Sequence, residues 1–539
     1  MTAEPTRREV LKGAAAAGAG ALTLPGCTSQ SFPGTLGGAD WQRGHRVRDR
    51  AFPAPQGQAE DTAIVIAGGG AAGLSAAWRL KEAGFEDFVL LELEDTVGGN
   101  ARSGRNAVSA YPLGAHYLPV PNREARALRH MLKGFGMIIG EEQGAPVYDP
   151  YQLCADLEER VLWRGSWQEG LYPASGLHAD DVAQRDRFFR EMAEYRAAVG
   201  ADGKPAFAIP RAGSSTDPRF IMLDGMTFAH WLDGRGFTSP VLRAHLRYCC
   251  RDDYGTEPEH ISAWAGVHYF AGRRGWAARG DGDRELTWPE GNGRLVGLMG
   301  KIVAPHVRAR HSVFAAAREG DEGALVSAFD HAAGASRKWR ARSVIMAMPH
   351  FVAARVAPAE TVKGALRYAP WVVANVTVNR LPRGRGSSLA WDNVSTGSDS
   401  LGYVVATHQS ASAGEGPTVL TWYMALSRED PAAARKLMAT RLLAEWQRIV
   451  ADDLLTMNPD LAGAIERIDV WRWGHAMVRP VPGFLSDPAR LAAIAAKPPM
   501  LFAHSDLSGL SLFEEAHYRG VAAAESALAH LGHRYESLL

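Results

Sequence analysis

The stretch IVIAGGGAAGLSAAWRL, Ile64 to Leu80, decides the fold. A short apolar run over Ala63–Ala67 reads as a strand. It breaks into AGGGAAG, and a helical pattern follows from Ala71 to Ala83. Gly68, Gly70 and Gly73 stand in the order G-x-G-x-x-G at that junction. The first glycine permits a tight turn, the second lets the backbone approach a pyrophosphate, and the third lets helix and strand pack closely. Ala71 and Ala72 keep the turn narrow, and the helix N-terminus faces the phosphate charge. A second strand, Phe88–Leu91, ends at Glu92, about 20 residues beyond Gly73, where a carboxylate accepts hydrogen bonds from a ribose hydroxyl and disfavours a 2′-phosphate. Strand, turn, helix and acid together make a βαβ dinucleotide-binding unit, although the turn alone does not separate FAD from NAD.

Composition narrows what that unit serves. The chain has 539 residues, enough for two or more domains around a large core. Its 59 basic and 59 acidic side chains cancel, which removes the charge argument for a nucleic-acid partner. The four cysteines, Cys27, Cys154, Cys249 and Cys250, are too few for a disulfide scaffold and show no metal-binding spacing. Adjacent cysteines rarely reach ordinary disulfide geometry, so Cys249 and Cys250 read as buried thiols.

The first 27 residues have the layout of an export signal: Arg7, Arg8 and Lys12, a weakly apolar run from Gly13 to Leu24, then LPGC ending at Cys27. The paired arginines resemble the twin-arginine class, which carries folded cargo across a bacterial inner membrane, and LPGC resembles a lipobox. The apolar run falls short of the roughly 20 residues of a membrane span. The expected location is the periplasm or cell envelope, with Cys27 as the point of lipid attachment and no other contact with a membrane. Residues 28–60, rich in Gly, Pro, Gln and Arg without periodicity, read as a linker.

Downstream, helical patterns dominate from about residue 125 to 280. Strand-like runs occupy 309–348, 371–378 and 418–426, and PAAARKLMATRLLAEWQRIV reads as one helix. The expected fold is α/β, a Rossmann-like cofactor domain with an inserted mixed α+β substrate domain. The cofactor domain takes residues 61–125, 285–350 and 495–539. The substrate domain takes 126–284, which is helical, and 351–494.

LLELEDTVGGN places Gly98, Gly99 and Asn100 just after Glu92, and here the sequence resembles the flavin-containing amine oxidase superfamily, which includes monoamine and polyamine oxidases and phytoene desaturases. YPLGAHYLP, LTWPEGNGRLVGLM and the closing LFAHSDLSGLSLFEEAHYRGVAAAESAL are similar to further segments of that family. The resemblance implies non-covalent FAD, since no cysteine lies beyond Cys250 for a flavin linkage. It implies that Val313 meets the adenine and that Asp506 belongs to the closing cofactor segment. It also implies departures. Leu512 stands where monoamine oxidases have a wall of an aromatic cage, and Asn375 where many oxidases carry a lysine that promotes reaction with oxygen. The acceptor expected is therefore a quinone or redox protein. His475, in VWRWGHAMVRPVPGF, is the first candidate for an acid/base or substrate-orienting group, with Trp471 and Trp473 as pocket walls; His116 is the second. The carboxylates of CCRDDYG could meet a cation, but such a run reads first as a solvated turn.

Three functions compete: hydride removal from a small-molecule amine, desaturation or isomerisation of an apolar lipid-like substrate, and a non-catalytic FAD-stabilised binding lipoprotein. The export signal fits all three, because FAD is loaded in the cytoplasm and stabilises only the folded chain.

Overall fold

The computed structural model describes residues 31–321, 323–362, 364, 366–410 and 415–539. Arg7, Arg8 and Cys27, with the export signal they belong to, lie outside the described residues.

The strand Glu60–Ala67 lies in the middle of its sheet, and Ile64, Val65 and Ile66 have no exposed surface. Burial on both faces explains why its sequence is a continuous apolar run rather than an alternating one. It pairs in parallel with Phe88–Leu91 on one side and with the second half of Ala335–Met346 on the other. Met500–Phe502 joins the same long strand in parallel. Strands from three distant stretches therefore close one sheet, and the chain leaves it twice to build a second body. The helix Ala71–Glu82 packs on this sheet against Phe513–His530. A Cβ at Gly520 would stand 2.2 Å from the Ala72 carbonyl oxygen, so the two helices meet backbone to backbone. A buried Arg79–Glu525 ion pair at 2.9 Å and a Ser75–His517 hydrogen bond at 2.9 Å fix their register.

The second sheet runs in the order Leu36–Gly38, Ile465–Arg479, Arg367–Val378, Thr418–Ala425, Tyr403–Val405, Asp392–Ser395, Glu159–Trp163, Ser166–Glu169. Beside it the helices Ala179–Ala197, Pro240–Tyr254 and Ala263–Ala271 bury their own core around Phe188, Phe228 and Trp264.

Three expectations are corrected. The stretch read as a linker contains a strand and a helix: Leu36–Gly38 pairs in parallel with Val470–Arg472, and Trp41–Arg48 is N-capped by Asp40. Gly34 is there for close approach, since a Cβ would lie 1.9 Å from the Ile468 carbonyl oxygen. Residues 126–178 are not mainly helical but carry two hairpins, Ile138–Glu142 with Ala145–Tyr148 and Glu159–Trp163 with Ser166–Glu169. Gly144 and Gly165, at φ of 81° and 79°, are the turn signals that the helical reading passed over. PAAARKLMATRLLAEWQRIV forms two helices, Pro431–Thr440 and Leu443–Met457, because the chain turns extended at Arg441 and Leu442.

Candidate functional site

At the first turn, Gly68 has φ of 112° and a Cβ there would lie 2.4 Å from the Ala347 carbonyl oxygen. A Cβ at Gly73 would lie 1.9 Å from the Gly68 carbonyl oxygen. The protein's own packing demands glycine at both positions. Gly70 is different. The nearest atom to a Cβ there is the Gly99 Cα at 3.9 Å, so the space beside Gly70 is left free. Gly70 is also the N-cap of Ala71–Glu82 and supplies no side-chain cap, which leaves the first N–H groups, from Ala71 and Ala72 onward, available to an anion. Gly98 and Gly99, at φ of 121° and 56°, bring the second glycine turn against the first.

Glu92 is buried at the end of its strand. One carboxylate oxygen accepts the Gly69 N–H at 2.6 Å and the other the Glu94 N–H at 2.8 Å. Burial raises its pKa, and the two backbone bonds oppose that rise. The carboxylate thus ties the turn to the strand end and keeps lone pairs for a ribose. Val313 is buried on the strand that follows His311, whose N–H donates to the Glu92 carbonyl at 2.7 Å. These residues fit the dinucleotide half of FAD, since the free space and the uncapped donors coincide.

Asn100, next to Gly99, lines a cavity of about 130 Å³ together with Gly114, His116, Trp371, Val373, Trp473 and Leu512. Trp473 is held as a wall by its indole N–H, which donates to the Leu113 carbonyl at 2.5 Å, and by the Arg102 guanidinium over its ring at 5.3 Å. Leu512, Phe513 and Glu514 bring the N-terminus of the closing helix to this cavity, again without a side-chain cap. Asn292 lines it too, and its Oδ1 is buried without a hydrogen-bond partner. A planar ligand bearing N–H donors and carbonyl acceptors suits these groups, which is the chemistry of a flavin ring.

Asp252, Asp253 and Arg273 also line the cavity. Arg273 donates to both oxygens of Asp253, at 2.7 and 2.9 Å. Tyr117 Oη lies 3.5 Å from Asp252 Oδ2. Burial, with the neighbouring Asp253 charge, pushes the Asp252 carboxyl up to about 7. Burial alone dominates at Glu514, also raised to about 7. His116 is pushed down to about 4 by burial, so its imidazole is neutral near pH 7, and it stacks on Tyr423 with centroids 4.3 Å apart.

Of the sequence candidates, Asn100, His116 and Trp473 come together at this cavity. His475 does not. Trp371 pairs with Trp473 and Ala369 with Met477, so Gly474, His475 and Ala476 face Pro370 across a bulge. His475 is thrown outward, exposed, and stacks on Phe351 at 4.4 Å. Asn375 is likewise corrected. It is buried with Nδ2 donating to the Pro112 carbonyl at 3.2 Å and Oδ1 accepting from Thr421 Oγ1 at 2.8 Å, and Trp371 and Val373 are the residues of this strand face that reach the cavity. Asp506 Oδ2 accepts the His350 N–H at 2.7 Å and the Tyr368 hydroxyl at 2.6 Å, while its Oδ1 is buried without a hydrogen-bond partner and stays open to a ligand donor. Asp252 and Asp253 are no solvated turn, because they sit in the last turn of Pro240–Tyr254 facing the interior. Cys249 and Cys250 are free and buried. Arg273 and Glu514 were missed; adjacent acids at the end of a helix whose other charges are arginines, Arg243, Arg247 and Arg251, were the available signal for Asp252 and Asp253.

The family pattern of the NAD(P)-binding Rossmann-like domain matches residues 66–135. No protein of curated function matches the chain in sequence. Among solved structures, a double mutant of putrescine oxidase superposes with a TM-score of 0.65 at 16% identity, covering 88% of this chain and 100% of that one. Our chain has the fold of the flavin amine oxidases. Wild-type putrescine oxidase bound to putrescine gives a TM-score of 0.63 at 16% identity, and cyclohexylamine oxidase from Brevibacterium oxydans IH-35A gives 0.61 at 16%, each with 88% of this chain and 100% of that chain covered. The glycine cradle and the cavity adjoin through Gly99 and Asn100.

Proposed function

We propose that this protein is an FAD-dependent oxidoreductase that removes a hydride from the carbon bearing an amine nitrogen. The observation that carries the reading is one cavity that runs from Asn100, beside the glycine cradle, to the carboxylates of Asp252 and Asp253. Bound FAD supplies the two-electron acceptor. The chain supplies the rest: Trp473, Trp371 and Leu512 exclude water and confine the substrate, and the acidic end draws in an ammonium group. Neutral His116 lines the cavity and, adding no positive charge, suits an amine that releases hydride readily only when it is itself uncharged. An apolar lipid-like substrate, the desaturase or isomerase alternative, is disfavoured by four charged residues, Asp252, Asp253, Arg273 and Glu514, in the lining.

The acceptor we assign is a quinone or redox protein. Reduction of oxygen by a reduced flavin is favoured by a nearby cation. Val373 reaches the cavity where Asn375 does not, and Arg273 is engaged with Asp253. Anaerobic addition of primary amines to the holoprotein is expected to bleach the flavin, and admitted air to restore colour more slowly than a soluble quinone does. Hydrogen peroxide formed at turnover rate in air would overturn the acceptor assignment, and flavin left oxidised by every amine would overturn the amine reading.

Export as folded, loaded protein to the periplasm or cell envelope, with a lipid on Cys27, completes the proposal. Replacing Arg7 and Arg8 by lysine is expected to retain yellow precursor in the cytoplasm, read by fractionation. Unchanged delivery to the envelope would point to another route.

A further inference from the structure

The stretch before the βαβ unit binds both bodies of the protein. Its first half belongs to the substrate sheet. The Ile468 and Val470 N–H groups donate to the Pro33 and Thr35 carbonyls at 2.9 and 2.8 Å, and Thr35 Oγ1 donates to Asp469 Oδ1 at 2.7 Å. Gly37 lies against the Trp471 indole, where a Cβ would stand 2.5 Å from the ring. Its second half belongs to the cofactor sheet. The Asp40 N–H donates to Glu94 Oε1 at 2.9 Å, and Arg43 Nη1 donates to the Leu93 carbonyl and to Asp95 Oδ1, both at 2.9 Å.

The two halves converge on Arg102. Its Nη1 is 3.2 Å from Glu94 Oε2, its Nε donates to the Gly99 carbonyl at 3.2 Å, and its guanidinium lies over the rings of Trp471 and Trp473 at 5.5 and 5.3 Å. The Arg102 and Glu94 side chains are 10% and 18% exposed, so water and salt screen their attraction little. Gly99 is the turn pressed on Gly70, and the Glu94 N–H is one of the two donors that hold Glu92. Trp473 is a wall of the cavity. Gly37, Asp40, Glu94 and Arg102 line no part of that cavity, yet through Arg102 they reach both the wall and the cradle.

We propose that residues 33–43 are a clasp that sets the cofactor cradle and the aromatic wall as one piece, with Glu94 and Arg102 as its positioning residues. The inference rests on FAD occupying the glycine cradle and is independent of the amine reading. One guanidinium serves a carboxylate, a carbonyl and two indole faces, and it meets all of them only when both halves of the clasp are in place. Coupling of this kind is reciprocal: a clasp that steadies the cradle holds the cofactor, and a bound cofactor steadies the clasp.

The test is the rate at which the holoprotein releases FAD on dilution, followed by the rise of flavin fluorescence, in the parent, Gly37→Ala, Arg102→Met and the double variant. Gly37 is the remote probe, since the added methyl must move the Trp471 indole and touches nothing of the cradle. Each single substitution is expected to speed release about tenfold, the weight of one hydrogen bond to a charged group. The double variant is expected to release FAD about tenfold faster as well, not about a hundredfold, because both changes break the same linkage. Release from Gly37→Ala at the parent rate, or effects that multiply, would overturn the clasp. Thr35→Val, which loses only the bond to Asp469 Oδ1, takes the place of Gly37→Ala if that protein does not fold, and is read by the same two outcomes. Amide exchange of the apoprotein gives a second reading without flavin. Arg102→Met is expected to speed exchange at Ile468 and Val470, whose N–H groups close the clasp, and unchanged exchange there would overturn it. A parent that binds no flavin while Arg102→Met speeds that exchange would overturn the cofactor reading and leave the clasp standing.

Discussion

Replacing Gly70 by alanine is expected to yield a folded protein that no longer holds its cofactor. The added methyl meets nothing of the protein closer than the Gly99 Cα at 3.9 Å, and Gly70 has a φ of −73°, which alanine adopts without strain. Folding therefore has no reason to suffer. The methyl instead occupies the space over the uncapped helix N-terminus, where a pyrophosphate must come within hydrogen-bond reach of backbone N–H groups. Affinity for FAD is expected to fall about 100-fold, or ~2.7 kcal/mol. The control is Gly73→Ala, whose methyl would stand 1.9 Å from the Gly68 carbonyl oxygen. That contact forces strand and helix apart and is expected to cost about 3 kcal/mol or more, leaving little soluble protein. Melting of the apoproteins and the flavin absorbance retained after gel filtration separate the two effects. A Gly70→Ala protein that stays yellow would mean that the pyrophosphate does not lie where this turn offers it.

The second large effect is expected at Arg273. Its guanidinium donates to both oxygens of Asp253, a carboxylate with 5% of its side chain exposed, in an interior already crowded with negative charge. Arg273→Met keeps the length of the stem but leaves Asp253 buried without a counter-charge. Breaking a buried pair from one side costs about 3 to 5 kcal/mol. Removing the second charge as well, in Arg273→Met/Asp253→Asn, is expected to recover most of that loss, because a neutral amide and a thioether leave no uncompensated ion. Urea unfolding of the parent, the single and the double variants measures both steps. A single variant as stable as the parent would show that the pair is held by solvent rather than by burial, and would weaken the case for a closed acidic interior.

Much of this protein was written in local sequence. The βαβ unit was legible because a parallel central strand must be apolar throughout and because each glycine of the turn answers a separate geometric demand. The return of distant segments to one sheet, near residues 344 and 500, was legible only through family resemblance, since no local pattern records which strands will pair. Trp473 and His116 were named from the segments VWRWGHAMVRPVPGF and YPLGAHYLP, and the fold brings both to the cavity. His475 was misplaced because a bulge three residues long changes which side chains face inward, and strand periodicity holds no trace of it. Asn375 was read from the strand pattern of WVVANVTV alone, and the fold turns its amide to Pro112 and Thr421. The charged end of the cavity was beyond sequence reasoning as a group: Asp252 and Asp253, Arg273, and Glu514 come from three separated stretches. Sequence by itself determined the cofactor half, where function depends on backbone shape that neighbouring residues dictate. Only the tertiary structure decided the substrate half, where function depends on which distant side chains are buried together, because a carboxylate acquires its chemistry from the charges and rings that folding places around it.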